Sequence, residues 1–472
     1  MSKKEHKVII IGAGLCGTLL GIRLAQKGYT VELYEKRNDL RKTTEEGGRS
    51  INLALSHRGL MALETAGMRE EVLQYCIPMR GRMIHSIGQD SRFSSYSGRE
   101  DEYINSVSRS VLNRTLLQKA DTYDNLQVFF EHSCTSVDIE NATATFQRPD
   151  GALVKIEGTV LIGTDGAGSV VRRAMMSRSS SLLFNFSQHF LRSGYKELTI
   201  PPAPGGGYRI DKNALHIWPR GAYMTIALPN LDGSFTVTMF HPYEGEAGFN
   251  TLDTWAKVKS FFEEQYPSLL PHLIGLEEDY FDNPVGTLGT IKCYPWQAYG
   301  KSLIMGDAAH AIVPFYGQGM NAAFEDVRIF METLERHGED WPATFTAFSE
   351  ERPTNSDAIA DLAIDNFYEM QDKVDDADFI KKRRLEMTLE DRFPDYYSKY
   401  SLVTFKPELS YAEAMVKGRR QDEFLLNLVA DKEVEKGNAL YRMNLRDLSN
   451  GVYSVRIRGT NSTFYRQVVV AH

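Results

Sequence analysis

Residues 7–35 read Lys7-Val-Ile-Ile-Ile-Gly12-Ala-Gly14-Leu-Cys-Gly17-Thr-Leu-Leu-Gly-Ile-Arg-Leu-Ala-Gln-Lys-Gly-Tyr-Thr-Val-Glu-Leu-Tyr-Glu35. Residues 8–11 are a β-branched apolar run of strand length, and residues 15–27 carry helical spacing, with Leu19, Ile22 and Ala25 on one side. Residues 30–34 predict a second strand. Between the first strand and the helix, Gly12, Gly14 and Gly17 complete G-x-G-x-x-G. This spacing allows a tight turn, a close backbone approach to a pyrophosphate, and packing of helix on sheet. The free N–H groups at the helix start can then take phosphate. Glu35 ends the second strand about 20 residues on, where a carboxylate accepts hydrogen bonds from a ribose. Strand, glycines, helix, strand and acid in this order predict a dinucleotide site, with FAD and NAD(P) both open.

The chain has 472 residues, 42% hydrophobic and 25% charged, which is room for two or three domains of ordinary globular texture. Its net charge of -8 argues against nucleic acid as the main partner. Cys16, Cys76, Cys134 and Cys293 lie far apart with no C-x-x-C pair. We therefore expect no metal site and no disulfide framework, but reduced thiols in a cytoplasmic protein. Lys3, Lys4 and Lys7 before an apolar run imitate a secretory signal. That run contains the phosphate-binding glycines, supplies a central strand and lacks a small-residue cleavage site before Arg23, so it reads as fold. No later stretch is apolar for long enough to span a bilayer, and no membrane anchor is expected.

Outward from the first unit, residues 37–48 are a polar loop and 49–55 resume strand character, before Ser56 caps a helix that Gly67 stops. The run Gly81-Arg-Met-Ile-His85 opens a turn and short hairpin, and residues 111–120 form a helix. Residues 126–130 and 153–163 read as one strand each. Between 182 and 292 the texture turns to alternating β-runs at 214–218, 223–228 and 234–241, which predict an antiparallel sheet. Helical spacing returns at 255–264 and dominates 320–382. The expected fold is thus α/β: a nucleotide domain over 1–180 to which 293–330 return, an antiparallel substrate sheet over 181–292, and a helical region over 331–440.

The last part, 441–472, is a β-hairpin pattern around Gly459-Thr-Asn461. Its run Leu448-Ser-Asn-Gly-Val-Tyr-Ser-Val-Arg456 resembles the final strands of the C-terminal sorting domains used by the type IX secretion system. Such cargo also carries an N-terminal export signal, which is not read here, so the tail is expected to be a non-catalytic appendage.

Two further segments follow apolar strands and carry a carboxylate beside glycine: Asp165-Gly166 and Gly306-Asp307-Ala-Ala-His310. Taken alone, the first is a turn and the second a helix cap. Together with the glycine loop they resemble the FAD-dependent aromatic hydroxylases of the group A monooxygenases, over residues 7–425. The resemblance implies a p-hydroxybenzoate hydroxylase-like fold: a Rossmann-like FAD-binding domain, an antiparallel β-sheet substrate domain and a C-terminal helical region. A single dinucleotide fingerprint suits that group, in which NADPH is a co-substrate that binds transiently. Pro314-Phe-Tyr-Gly-Gln-Gly-Met-Asn321 then opens a helix whose N-terminus would stabilise negative charge on reduced flavin.

Within the group, several longer runs are similar to the kynurenine 3-monooxygenase family. They are Arg49-Ser-Ile-Asn-Leu-Ala-Leu-Ser-His-Arg-Gly59, Gly81-Arg-Met-Ile-His85, Ser106-Val-Ser-Arg109, the stretch 306–326, Asn366-Phe-Tyr-Glu-Met370 and Tyr400-Ser-Leu-Val-Thr-Phe405. The resemblance puts Arg82, Tyr96, Asn366 and Tyr400 around the substrate. It puts Glu35, Ala54, Arg109, Asp307, Met320 and Asn321 on FAD, with Cys134 as a further contact through its backbone and Asp165 in the Asp-Gly motif. It implies hydroxylation of L-kynurenine to 3-hydroxy-L-kynurenine with NADPH and O2 through a C4a-hydroperoxyflavin. The flavin then carries the chemistry, and no side chain is assigned as catalytic.

These residue types suit the substrate. An α-carboxylate needs a planar bidentate cation, which Arg82 can be, with the Tyr96 and Tyr400 phenols completing the bonds. Asn366 can serve the carboxylate or its polar neighbours. Without the family, Arg82 reads as a surface arginine and the tyrosines as half-buried core residues. Tyr316 would shape the oxygen-reacting face, and His310 would be structural. Two alternatives stand beside this reading: a flavin hydroxylase of another aromatic acid, and a non-catalytic flavin-binding protein tethered through its tail.

Overall fold

The strand Lys7–Ile11 is buried along 8–11 because it lies inside a parallel sheet. Ile10 sits opposite Ile162 on one side and Leu33 on the other. In this computed structural model, residues 6–42, 52–370, 377–429, 451–459 and 462–470 are described. The sheet runs Gln297–Ala298, Ser302–Ile304, Val160–Gly163, Lys7–Ile11, Thr30–Tyr34, Leu126–Phe129, and all its neighbours but the first pair are parallel. A central parallel strand is covered on both faces, which is why 8–11 and 160–163 are uninterrupted apolar or glycine runs. Helix Leu15–Gln26 covers one face with Leu19, Leu20, Ile22 and Leu24, all fully buried.

The run 153–163 is two strands in two sheets. Leu153–Glu157 joins Ser133–Asp138 and Thr143–Gln147 in an antiparallel sheet, whereas Val160–Gly163 joins the parallel one. The break falls at Gly158, where a Cβ would meet the Ile9 side chain at 2.9 Å. The burial agrees, since 153–157 alternates with solvent while 160–163 is buried throughout.

The second sheet has seven strands in the order Gly286–Tyr294, Asn185–Ile200, Phe235–Pro242, Met224–Pro229, Ala214–Pro219, Gly81–Ile84, Arg92–Ser95. Its last two strands come from outside the span 181–292, so the boundary drawn there cuts through the sheet. Without these two strands Ala214–Pro219 would be an edge, and Gly81–Ile84 supplies its second hydrogen-bonding neighbour in parallel, with Leu215 beside Arg82. The hairpin 81–95 thereby carries Arg82 from the nucleotide half onto the substrate sheet.

Helical structure begins at Gly319–Arg336 and continues through Trp341–Tyr368, Ala377–Arg392, Lys399–Phe405 and Tyr411–Val429. A buried ionic lattice docks it. Arg58 donates to Glu325 at 2.7 Å and to the Val403 and Leu409 carbonyls at 2.6 Å, while Arg352 holds Glu325 and Asp326. Asp326 also binds His310 at 2.5 Å and the Gly306 N–H at 3.1 Å, which gives His310 a place in the lattice. Such pairs add little net stability over an apolar core, yet breaking one strands a buried charge, so they specify how the parts fit.

Gly451–Gly459 and Ser462–Val470 pair antiparallel with each other, Val452 opposite Val469. The expected loop over 43–48, the strand start at 49–51, the stretch 430–450 and the turn residues Thr460 and Asn461 lie outside the described residues. Among the described residues no helix is long and apolar enough to cross a membrane.

Candidate active site

The glycine loop is built by close approach. Gly12 has φ +103°, and a Cβ there would sit 2.6 Å from the Thr164 carbonyl oxygen. At Gly17 a Cβ would meet the Gly12 carbonyl oxygen at 2.1 Å and the Thr164 hydroxyl at 2.3 Å. Gly14, by contrast, faces open space at the N-cap of helix Leu15–Gln26, which has no side-chain cap. Bare N–H groups beside open space fit a diphosphate.

Glu35 is buried, and its Oε2 accepts the Ala13 N–H at 2.9 Å, so it also holds the loop. Burial pushes its carboxyl up, but the Arg37 side chain, 2.8 Å away, and the N–H groups of Arg37 and Ala13 outweigh that and hold it below the usual range. Asp165 follows Thr164, its Oδ2 taking the Val170 N–H at 2.6 Å, while its Oδ1 is buried with no hydrogen-bond partner. Burial raises the Asp165 carboxyl, against bonds from Ser169 and Val170. An orphaned acceptor beside a cradle that no Cβ could share fits a bound dinucleotide.

The other expected cofactor residues extend from this cradle. A Cβ on Gly306 would lie 3.1 Å from the Cys16 sulfur, so Gly306 and the exposed Asp307 reach the glycine helix. Cys134 lies near Asp165, whose charge adds to burial in pushing its thiol up to about 12. Asn321 is fully buried, with its Oδ1 taking the Ser56 N–H at 2.9 Å and its Nδ2 donating to the Ala54 and Gly317 carbonyls at 2.8 Å. It stitches the strand Leu53–Leu55 to the Gly-rich loop before helix Gly319–Arg336, on which Met320 packs against the main core. Arg109 is exposed at the start of helix Arg109–Ala120, just past a strand paired with Leu53–Leu55.

Arg82, Tyr96 and Tyr400 meet. The Tyr96 and Tyr400 rings stack at 5.0 Å and 10°, and the Arg82 guanidinium lies 5.6 Å and 5.1 Å from their centroids. Tyr316 extends the stack, 5.5 Å from Tyr400 at 15°. The Arg82 Nε and the hydroxyls of Tyr96 and Tyr316 are buried without hydrogen-bond partners. Burial raises all three phenols, so they stay protonated and can donate. It also works against the charge of Arg82, which the Glu369 carboxylate in the same pocket helps to offset. Ala54, Leu215, Ile226 and Leu228 pack with the tyrosines as an apolar wall.

Asn366 is buried behind this stack. Its amide nitrogen donates to the Phe315 carbonyl at 2.6 Å and reaches the Met370 sulfur at 3.2 Å, so it steadies the turn Pro314–Tyr316. The structure adds groups that the sequence reading passed over. Glu369 lines the same pocket as Arg82 and pairs with Lys399 at 3.3 Å, and Lys399 also binds Asp422. Glu369 sits inside the quoted run 366–370, so its position beside Asn366 was the available signal. Among the described residues no cluster of His, Cys, Asp and Glu could hold a metal ion.

The family described as an FAD binding domain matches residues 5–182 and 290–361. The chain is 45% identical over 404 residues to a kynurenine 3-monooxygenase of Myxococcus xanthus, covering 85% of this chain and 86% of that one. To the kynurenine 3-monooxygenases of Flavobacterium psychrophilum and Dictyostelium discoideum it is 42% and 41% identical, over 92% and 93% of its length and 96% and 95% of theirs. Among solved structures, 2-methyl-3-hydroxypyridine-5-carboxylic acid oxygenase superposes with a TM-score of 0.63 at 20% identity, over 84% of this chain and 99% of that one. The p-nitrophenol 4-monooxygenase of Pseudomonas putida does so with 0.64 at 14%, over 89% and 99%. At that identity the two share the fold, a Rossmann-like nucleotide sheet beside a substrate sheet with a helical C-terminal region. With such identity over most of its length, the chain belongs to the kynurenine 3-monooxygenase family, FAD-dependent aromatic hydroxylases.

Proposed function

We infer that this chain hydroxylates L-kynurenine to 3-hydroxy-L-kynurenine with NADPH and O2, and that Arg82, Tyr96 and Tyr400 hold the substrate's amino-acid head. The observation that carries the reading is the pair of buried, unpartnered donors at the Arg82 Nε and the Tyr96 hydroxyl, with the Tyr400 ring stacked beside them. Buried donors without acceptors are costly, and an α-carboxylate would satisfy them. Glu369, which lines the same pocket as Arg82, is the acceptor for the α-ammonium. FAD would be held from Glu35 along the glycine loop, Asp165, Cys134 and Asp307 to Ala54, Arg109, Met320 and Asn321. Bound there, it would supply the redox chemistry, as acceptor of the NADPH hydride and as the group that activates O2.

The chain's own residues bind, orient and keep the site dry. The wall of Leu215, Ile226 and Leu228 seats the aromatic ring and excludes water, while the head group fixes which ring carbon faces the flavin. A benzoate offers a carboxylate to Arg82 but has no α-ammonium and no chain between carboxylate and ring, so this reading predicts weaker benzoate binding and a ring held away from the kynurenine position, whereas the other-aromatic-acid reading predicts the reverse. A cytoplasmic setting belongs to the same proposal, supported by four free, widely spaced thiols. The test is the spectrum of the purified protein, then NADPH consumption with and without L-kynurenine and the yield of hydroxylated product. A yellow protein stimulated by kynurenine and not by salicylate is expected. Reduction indifferent to kynurenine, yielding only peroxide, would overturn the proposal.

A further inference from the structure

One carboxylate outside the pocket holds both segments that carry the stacked phenols. Glu390, on helix Ala377–Arg392, is 2% exposed. Its Oε1 accepts the Ser398 N–H at 2.8 Å and the Ser401 hydroxyl at 2.6 Å, and its Oε2 accepts the Gly98 N–H at 3.0 Å. Ser398 and Ser401 flank Tyr400 at the start of helix Lys399–Phe405, while Gly98 lies two residues past Tyr96. Two turns earlier on the same helix face, the Arg383 guanidinium donates to the Ser95 and Tyr96 carbonyls at 2.8 Å and 2.6 Å. The approach leaves no slack, because a Cβ on Gly98 would lie 3.1 Å from both the Asp391 nitrogen and the Glu390 Cβ.

We propose that Glu390 is a positioning residue that sets the Tyr96–Tyr400 pair in register beneath Arg82, and so governs how tightly the enzyme grips the amino-acid head of its substrate. The inference rests on the reading of Arg82, Tyr96 and Tyr400 as the head site. Glu390 touches neither substrate nor flavin. It acts because a buried carboxylate with three donors on two different chain segments leaves those segments one relative placement. Glu390→Gln keeps the volume but turns one acceptor oxygen into an N–H donor that faces another donor. The Tyr96 loop or the Tyr400 helix then shifts, while the cofactor cradle, made by other elements, stays intact.

The experiment is a pair of titrations on the FAD-loaded full chain, following the flavin spectrum, with L-kynurenine and with 2-aminoacetophenone, which has the aromatic amine and ketone but no amino-acid head. Wild type first checks the underlying reading: if kynurenine binds no more tightly than the headless analogue, that reading fails whatever Glu390 does. Given a wild-type preference, Glu390→Gln is expected to raise the Kd for kynurenine by about tenfold or more, the effect of losing a charge-assisted bond, with the analogue's Kd unchanged. An unchanged kynurenine Kd overturns the proposal, and so does an equal rise for both ligands, which would mark a general loosening. If Glu390→Gln does not fold, Ser401→Ala removes one of the three donors alone. It is expected to raise the kynurenine Kd by about threefold without moving the analogue, and no selective change overturns the proposal.

Discussion

The cofactor cradle and the head pocket are built in opposite ways. The cradle is made of backbone: Gly12 and Gly17 stand so close to Thr164 and to each other that no side chain fits, and Glu35 ties down Ala13 from the next strand. The pocket is made of side chains from two segments distant in sequence. Arg82 comes from a hairpin added to the second sheet, Tyr96 from the far end of that hairpin, and Tyr400 from a short helix near the C-terminal end of the helical region. Backbone packing is intolerant of any added atom, whereas an assembled pocket loses affinity one bond at a time.

The largest effect should therefore come from a single methyl group in the cradle. Gly17→Ala would put a Cβ 2.1 Å from the Gly12 carbonyl oxygen, and the expected product is a protein that purifies without flavin absorbance. Bound FAD in that variant would break the contrast. Arg82→Ala comes next: the kynurenine Kd should rise by about 100-fold, about 3 kcal/mol, with FAD content unchanged in the same absorbance titration. Loss of flavin together with substrate affinity would mean that the two regions are one unit.

Asn321 lies on the seam, and its three hydrogen bonds join Ala54 and Ser56 to Gly317. Asn321→Ala leaves buried backbone groups unpaired and should cost about 2 kcal/mol of stability, read as a lower Tm on thermal melting in the FAD-loaded protein. No change in Tm would show that the seam relaxes freely. The smallest effect is expected for Tyr96→Phe, which keeps the ring stack and removes a hydroxyl: a rise in kynurenine Kd of about fivefold, about 1 kcal/mol. A larger loss would indicate that the hydroxyl also orders the stack.

The same contrast explains what could be read beforehand. The cradle's sequence signals fall within 29 consecutive residues, 7–35, although Thr164 packs against its glycines, and each has a residue type that states its reason: β-branched for a buried strand, glycine for close approach, an acid for the ribose. The run 153–163 was harder, because an apolar stretch does not say where it changes sheets, and Gly158 is required there by Ile9, a residue distant in sequence. Arg82 and Tyr96 were reached through family likeness alone, since an arginine and a tyrosine in a hairpin carry no local mark of burial. Asn366 came by the same route, and the structure shows its amide holding the Phe315 carbonyl. Glu390 had no signal at all: a glutamate two residues before a helix end reads as solvent-facing until Gly98, Ser398 and Ser401 are brought to it.

By itself the chain of letters determined the nucleotide unit, its glycine turn and the alternation of a β-rich middle with a helical end. These follow from period, chirality and the steric limits of single residues, all of which act between near neighbours. The tertiary structure alone decided that the hairpin 81–95 would complete the second sheet, that the Tyr96 and Tyr400 rings would stack beside one arginine, and which acids would stand behind them. Those outcomes depend on which distant segments bury one another and share donors and acceptors, and a residue's type does not reveal its partners until the chain has closed.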